Sequence, residues 1–130
     1  MIDIKDKVIL VVGGTGRIGS HLCEFLINEG ARVVSLSRSS SNVCHPHLFH
    51  KQVDATSNLE FTSLLLDIVS DLGSVSSLIN CSCYRPLANQ NKFPSEIDIS
   101  QWNSSILQNS LLLHVPTSIV AQYMDDNSIQ

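Results

Sequence analysis

The sequence predicts an α/β fold, in which a parallel sheet is covered by helices on both of its faces. Short apolar runs alternate with longer segments of helical periodicity along the chain, and this order is typical of parallel sheets. The first run, Val8–Val12, is entirely apolar, as expected of a strand buried on both faces. A cluster of glycines follows it directly, and an amphipathic helical pattern begins at Arg17. We therefore predict that the chain opens with a strand, a tight turn and a helix.

The rest of the chain repeats this alternation and completes a prediction of four strands and three helices. The strands are predicted near Val8–Val12, Arg32–Leu36, Phe49–Val53 and Ser77–Asn80. The helices are predicted near Arg17–Glu29, Leu59–Leu72 and Ile99–Met124. Gly30 and Gly73 are expected to end the first two helices, because glycine readily adopts the conformation found at helix C-termini. Pro116 lacks a backbone N–H group, so it is expected to kink or divide the third helix.

Two local signals refine this arrangement. Ser57 precedes the second helix and Glu60 follows three residues later, which is the spacing of a capping box. Between the second and third strands, the segment 37–50 contains Ser39-Ser40-Ser41-Asn42 and Pro46, which favour a loop. We expect a helix in this segment to be shortened or absent.

The glycine cluster reads Gly13-Gly14-Thr15-Gly16-Arg17-Ile18-Gly19 and predicts a phosphate-binding turn of the Rossmann-like type. Glycine lets the turn fold back tightly, lets a pyrophosphate approach the backbone, and lets the helix lie close to the strand. The first N–H groups of the helix would face the phosphates, where the helix dipole favours negative charge. The alternative is a turn with a purely structural role. The predicted cofactor contacts at this turn are Gly13, Thr15, Gly16, Arg17, Ile18 and Gly19.

Length and composition restrict the class of protein. The 130 residues are enough for one domain, predicted over residues 1–130, with a hydrophobic fraction of 43% and a charged fraction of 15%. The formal net charge of −4 and the scattered basic residues argue against nucleic acid as a partner. No apolar run approaches the roughly 20 residues that cross a bilayer, and the N-terminus lacks the pattern of a signal peptide. We therefore expect a soluble, cytoplasmic protein that does not bind membranes.

Several motifs, in the same order along the chain, resemble those of the short-chain dehydrogenase/reductase family. The spacing Gly13-x-x-Gly16-x-x-Gly19 resembles the family's glycine motif, and Val53-Asp54-Ala55 resembles its acidic motif after the third strand. The run Leu78-Ile79-Asn80-Cys81-Ser82-Cys83 resembles its Asn-Asn-Ala-Gly motif, and Gln101-Trp102-Asn103 with Asn109 resembles its active-site helix. The resemblance implies a NAD(P)-dependent oxidoreductase with a Rossmann-like fold, represented here by about the first four strands.

The resemblance also implies which other residues contact the cofactor. NAD-specific members carry an acidic residue after the second strand, whereas this chain has Ser37 and Arg38, which favour the 2′-phosphate of NADP. The further expected contacts, at the adenine ring and at the carboxyl end of the fourth strand, are Asp54, Ala55, Asn80, Cys81 and Ser82. The alternatives are that NAD is the cofactor, that the arginines are solvated surface residues, and that Asp54 caps the following helix.

The family's catalytic Ser, Tyr and Lys, the last two arranged as Tyr-x-x-x-Lys, have no counterpart in this chain. Ala88 stands four residues after Tyr84, and Asn127 stands four residues after Tyr123. Asn109 is the catalytic residue of the family that the chain is expected to retain. In the family the Ser follows a fifth strand, which would begin beyond these residues, so we expect the chain to correspond to the N-terminal, cofactor-binding half. A small carbonyl or hydroxyl substrate would be used only if the second half were supplied.

Two other functions fit the same motifs. The chain could be a non-catalytic nucleotide-binding or assembly module that docks through the fourth strand and the last helix, where Leu111-Leu112-Leu113 and Val115 would provide apolar surface. It could also be a relative of the sugar-nucleotide epimerases, which share the glycine spacing. The resemblance further implies a homo-oligomer formed through the last helix. The segment Cys44–His50 concentrates metal-binding side chains, but its spacing matches no standard zinc site, and we expect no metal.

Overall fold

A parallel sheet of four strands forms the centre of the protein. The computed structural model describes residues 3–86 and 91–127. The strands are β1 (Val8–Val12), β2 (Arg32–Ser37), β3 (Leu48–Gln52) and β4 (Val75–Asn80). They lie side by side in the order β3-β2-β1-β4, and all of the pairings are parallel. The predicted sheet is confirmed, and its predicted strand boundaries lie within about two residues of the observed ones.

Three helices cover the two faces of this sheet. They are α1 (Arg17–Asn28), α2 (Asn58–Leu72) and α3 (Ile99–Asp126). Successive side chains of a strand point to opposite faces, so Leu10 packs with buried residues of α2 and α3, whereas Ile9 and Val11 pack with α1. Every residue of β1 is buried, which accounts for the apolar run in the sequence. The predicted α/β arrangement with helices on both faces is confirmed.

The helix ends follow the predicted signals with one exception. Gly30 and Gly73 follow α1 and α2 with φ values of 87° and 88°, a conformation that side chains disfavour. The Ser57 hydroxyl accepts a hydrogen bond from the Glu60 N–H group at 3.3 Å, so it caps α2. The Glu60 carboxylate, however, accepts from the N–H group of Asp54 at 3.3 Å. The predicted capping box is therefore half formed, and its second half ties α2 to the preceding loop.

The segment between β2 and β3 contains no helix. Residues 38–47 are extended or turn-like, and His45 forms an isolated antiparallel bridge with Leu48. The serine-rich sequence and Pro46 account for this conformation, as predicted. A loop therefore lies beside the face of β3 that a helix between these strands would cover.

The third helix differs from its prediction in two respects. Pro116 lies inside α3, yet the helix continues from Ile99 to Asp126, so the predicted division is wrong, whereas the alternative of a kink stays a prediction. Leu112 and Val115, predicted as apolar surface, are buried in the core formed with the sheet and α2. This correction follows from packing, because the C-terminal half of the helix lies against that core. The large apolar side chains that α3 exposes are Ile99, Trp102, Ile106, Leu107 and Leu113.

The helices do not have the character of membrane spans. The longest of them, α3, has 28 residues and carries polar side chains along its length. Within residues 3–86 and 91–127, no helix combines the length and apolar character that crossing a membrane requires.

Candidate functional site

The glycine turn joins β1 to α1 at the carboxyl end of the sheet. The Gly13 N–H group donates to the Leu36 carbonyl at 2.7 Å, and the Gly16 N–H group donates to the Gly13 carbonyl at 3.0 Å. Gly13 has a φ of 78°, and a Cβ atom there would lie 2.8 Å from the backbone of Cys81. A Cβ atom on Gly19 would overlap the Gly13 carbonyl oxygen. The turn therefore packs so closely against the residues that follow β4 and against its own helix that both positions require glycine.

The N-terminus of α1 is open toward this turn. Gly16 is the N-cap residue, and because it has no side chain it cannot cap the first N–H groups of the helix. The first turn of α1 contains no acidic residue, and it begins with Arg17. Free N–H groups, the positive end of the helix dipole and a guanidinium group therefore coincide, which suits the binding of a phosphate group.

A cleft of about 470 Å³ lies beside the glycine turn at the carboxyl ends of the strands. The predicted site residues that line this cleft are Gly13, Thr15, Gly16, Arg17, Ile18, Ser37, Arg38, Ala55, Cys81 and Ser82. The predicted site residues outside its lining are Gly19, Asp54, Asn80 and Asn109. The lining residues that the sequence motifs did not indicate include Ser39, Arg85 and Leu112. The structure thus brings together the ends of β1, β2 and β4 and the start of α1.

Among the described residues that line this cleft, three are arginines and none carries a carboxylate. Arg17 begins α1, Arg38 follows β2, and Arg85 lies in the segment after β4. The Arg38 guanidinium carbon lies 6.0 Å from the centre of the Tyr84 ring, at the distance of a cation–π contact. No motif marks Arg85, and its position shortly after a parallel strand is the signal that could have found it. The cleft is therefore cationic.

Asp54 stands between two residues that line the cleft, Val53 and Ala55. Its Oδ1 atom accepts hydrogen bonds from the Thr56 hydroxyl at 2.7 Å and from the Thr56 N–H group at 2.9 Å. These two bonds, the hydroxyl first, hold the pKa of Asp54 below its ordinary value, and the charge of Arg38 adds to the shift. The carboxylate is therefore ionised and already engaged with Thr56, and the cap of α2 is Ser57.

Asn80 ties the end of β4 to α3. Its Nδ2 group donates to the Leu112 carbonyl at 2.7 Å, and its Oδ1 atom accepts from the Ser82 N–H group at 3.0 Å and the Ser82 hydroxyl at 2.5 Å. The Leu112 carbonyl is available because Pro116, four residues later, has no N–H group to donate to it. Asn80 therefore replaces a missing helix bond and at the same time holds Ser82 in the wall of the cleft.

Asn109 holds the segment that follows β4. Its Oδ1 atom accepts from the Tyr84 N–H group at 2.8 Å, and its Nδ2 group donates to the Tyr84 carbonyl at 3.1 Å. The same Nδ2 group donates to the Ser105 carbonyl at 2.9 Å. The amide is thus engaged with backbone groups of the chain itself, and a catalytic role for Asn109 stays a prediction. Ala88, the residue four positions after Tyr84, lies outside the described residues.

Thiols and imidazoles are not arranged as a metal site in the described structure. Cys23 is buried, and desolvation, with a smaller contribution from Cys81, raises its pKa to about 11, so its thiol stays protonated at neutral pH. Across residues 3–86 and 91–127, no three His, Cys, Asp or Glu side chains are grouped so that they could hold a metal ion.

A larger cleft, of about 660 Å³, lies on the α1 face of the sheet. It is bounded by α1 and by residues of the segment 40–48, and it shares only Gly14 and Thr15 with the glycine turn. We assign the candidate site to the smaller cleft, because that cleft contains the open end of α1 and the carboxyl ends of β1 and β2.

The sequence matches the model of the short chain dehydrogenase family over residues 7–129. The chain belongs to the short-chain dehydrogenase family. An uncharacterized oxidoreductase of Staphylococcus saprophyticus is 26% identical over an alignment of 113 residues, and the match covers 82% of this chain and 44% of that protein. GDP-mannose 4,6 dehydratase 1 of Arabidopsis thaliana is 48% identical over 48 residues, which make up 37% of this chain and 13% of the dehydratase. The family match, unlike the dehydratase match, extends over nearly the whole chain.

Solved short-chain dehydrogenases share the fold of this chain. One from Leptospira borgpetersenii, determined with bound NAD+, superposes with a TM-score of 0.82 at 21% sequence identity. The superposition covers 96% of this chain and 48% of that dehydrogenase. The chain therefore spans about half the length of the short-chain dehydrogenases that it matches, and its four-stranded sheet corresponds to part of theirs.

Proposed function

We propose that the cleft binds NADP and that the protein is an NADP-dependent oxidoreductase of the short-chain dehydrogenase family. The observation that carries this proposal is the charge of the cleft, whose described lining includes Arg17, Arg38 and Arg85 and contains no carboxylate. NADP carries a pyrophosphate and a 2′-phosphate, and guanidinium groups bind phosphates through paired, charge-assisted hydrogen bonds. NAD, which the Leptospira relative binds, is the alternative cofactor.

The residues of the cleft fit the parts of this cofactor. The open N-terminus of α1 and the glycine turn would hold the pyrophosphate through backbone N–H groups. Ser37 and Arg38, at the end of β2, would hold the 2′-phosphate. Ala55 would lie at the adenine ring, and Cys81 and Ser82 would lie at the nicotinamide ribose.

The described residues supply binding and orientation, and NADP when bound supplies the hydride chemistry. The 130 residues contain no Tyr followed four positions later by Lys. We therefore propose that they bind the cofactor without efficient hydride transfer of their own, and that a small carbonyl or hydroxyl substrate needs further residues. Asn109 would contribute by keeping the Tyr84 segment in place beside the cleft.

Replacing Arg38 with Gln is expected to weaken the binding of 2′,5′-ADP about tenfold or more, while the binding of 5′-ADP changes less than about twofold. The reason is that only 2′,5′-ADP carries the phosphate that Arg38 would pair with, and a hydrogen bond to a charged group contributes about 1.5–3 kcal/mol. Isothermal titration calorimetry of the purified 130-residue chain with each nucleotide measures both dissociation constants.

The matched control is Arg32→Gln, which removes the same charge at the opposite end of β2. Arg32 donates to the Asp6 carbonyl at 3.2 Å and does not line the cleft. Its replacement should leave the ratio of the two dissociation constants unchanged. Equal affinity of the unaltered protein for the two nucleotides would contradict the preference for NADP, and binding of neither would contradict a nucleotide site in this cleft.

A second candidate function, assembly with another copy of the chain, is favoured by the surface of α3. Its exposed apolar side chains include Ile106, which is 59% exposed, and Trp102, which is 44% exposed. Among the described residues, β4 lies at the edge of the sheet and pairs with β1 alone. An exposed apolar helix surface and an open strand edge each favour association of protein chains.

Replacing Ile106 with Lys is expected to shift a dimer of the chain toward the monomer, because a charge would be buried in the interface. Size-exclusion chromatography with light scattering, over a tenfold range of protein concentration, measures the mass. Leu59→Lys on α2, where the leucine is 81% exposed, is the control and should leave the mass unchanged. A monomeric unaltered protein at all concentrations would contradict this assembly.

A further inference from the structure

Two side chains of β3 hold the turn that carries Arg38. The Gln52 Nε2 group donates to the Arg38 carbonyl at 2.7 Å, and the His50 Nε2 atom lies 2.9 Å from the Ser39 carbonyl. The Ser37 hydroxyl donates to that same Ser39 carbonyl at 2.8 Å. Two successive carbonyl groups of the turn are therefore each bound by a side chain from the neighbouring strand.

These bonds take the place of helical backbone bonds. In a helix following β2, carbonyl groups such as those of Arg38 and Ser39 would accept from N–H groups four residues later. Residues 38–47 form no helix, so the carbonyls need other donors. Residues two apart on a strand share a face, and His50 and Gln52 are so placed on β3 that both reach this turn.

The orientation of the His50 ring follows from its two partners. The Ser39 carbonyl can only accept, so the Nε2 atom carries the proton, and in the neutral ring the Nδ1 atom is an acceptor. The Ser35 hydroxyl, 3.3 Å from Nδ1, is then the donor. Ser35 is only 3% exposed, and a Cβ atom on Gly14 would overlap its hydroxyl oxygen. His50 therefore links the Arg38 turn to a buried group that packs on the glycine turn.

We infer that His50 and Gln52 are positioning residues that give the cleft its preference for a 2′-phosphate, by holding the backbone of Arg38 and Ser39. This inference rests on the proposed NADP function. Arg38 is exposed and its turn contains no regular structure, so the β3 side chains supply much of its order. A turn that is ordered before binding does not lose further conformational freedom when the phosphate binds. The pair acts on the 2′-phosphate, because the pyrophosphate would be held by the N-terminus of α1.

The test compares binding of 2′,5′-ADP and 5′-ADP by the purified 130-residue chain carrying Gln52→Met or His50→Leu. Each variant replaces a hydrogen-bond donor with an apolar side chain of comparable size. The dissociation constant for 2′,5′-ADP is expected to rise about three- to tenfold in each variant, as the loss of one hydrogen bond implies. The dissociation constant for 5′-ADP is expected to change less than about twofold.

Matched controls separate this effect from general damage. Gln122→Met on α3 and His47→Leu in the loop remove the same side-chain types at exposed positions that do not line the cleft. A second measurement repeats Gln52→Met in a protein that already carries Arg38→Gln. If Gln52 acts through Arg38, it should then change the ratio of the two dissociation constants by less than about twofold.

The outcomes distinguish this inference from the proposed function on which it rests. An unaltered protein without preference for 2′,5′-ADP would overturn the NADP proposal. If the unaltered protein prefers 2′,5′-ADP and both Gln52→Met and His50→Leu leave the ratio of the two dissociation constants unchanged, the positioning role alone is overturned. The positioning role would also be overturned if either variant weakened the binding of both nucleotides equally. It would be overturned as well if Gln52→Met changed the ratio of the two dissociation constants as much in the Arg38→Gln protein as in the unaltered one. Gln52 is exposed, so its variant tests the inference even if His50→Leu fails to fold.

Discussion

Replacing Gly19 with Ala is expected to destabilise the protein by roughly 1–3 kcal/mol and to weaken 2′,5′-ADP binding at least about tenfold. By helix propensity alone the substitution would stabilise α1 by about 1 kcal/mol. Steric overlap reverses the sign, because the new Cβ atom would meet the Gly13 carbonyl oxygen and lie 2.8 Å from the Gly14 Cα atom. These are backbone atoms, which cannot rotate away as a side chain can. The helix must shift away from the turn, and its N–H groups then no longer meet a phosphate held by that turn.

Urea unfolding followed by circular dichroism measures the change in stability, and calorimetry measures the binding. Gly16→Ala is the matched control for stability, because a Cβ atom there has the Gly13 oxygen at 3.3 Å as its one near neighbour. Its cost should stay near 1 kcal/mol or below, as expected when glycine at an N-cap is replaced by alanine. A Gly19→Ala protein as stable as the unaltered chain would show that the turn and the helix are not packed as described.

Replacing Asn80 with Ala is expected to lower the free energy of unfolding by roughly 1–3 kcal/mol, because the Leu112 carbonyl loses its donor in a largely buried place. The substitution also removes the acceptor of the Ser82 N–H group and hydroxyl. Part of the wall of the cleft should loosen as a result. Urea unfolding of the variant measures the cost, and Asn103→Ala on the exposed surface of α3 should cost less than about 0.5 kcal/mol.

The missing N–H group of Pro116 provides a direct test of the hydrogen bond between Asn80 and the Leu112 carbonyl. Pro116→Ala restores an N–H group that can donate to the Leu112 carbonyl, so Asn80 is no longer its sole donor. In a protein carrying Pro116→Ala, the cost of Asn80→Ala should therefore fall by about 1 kcal/mol, which a double-mutant cycle measures as coupling. An identical cost with proline and with alanine at position 116 would contradict the link between the helix defect and the strand end.

Local sequence patterns were sufficient to predict most of the fold and part of the candidate site. The buried run Val8–Val12, the glycines after it and the serine-rich segment before β3 each act through neighbouring residues, so the sequence alone was sufficient to place them. Prediction was weaker where a side chain had a second partner available in a neighbouring segment. Glu60 has the spacing of a capping box with Ser57, but its carboxylate accepts from the N–H group of Asp54 instead.

The residues of the candidate site likewise include some that the sequence predicts and others that it does not. Gly13, Gly16 and Arg17 were predictable because the motif is contiguous and its chemistry follows from one turn and one helix end. Arg85 became part of the cleft only because parallel strands end at one edge of the sheet. The engagement of Asn80 with Leu112 joins residues 32 positions apart, and no spacing rule relates such residues.

The sequence by itself determined that this chain forms a strand, a glycine turn and a helix suited to a phosphate, since these depend on short-range sterics and hydrogen bonding. Only the tertiary structure decided which side chains surround that turn. It joined Asn80 to the Leu112 carbonyl, bound the Arg38 turn to His50 and Gln52, and buried Leu112. The physical reason is that each polar group takes whichever partner the assembled sheet brings near, and that choice depends on strand order rather than on position along the chain.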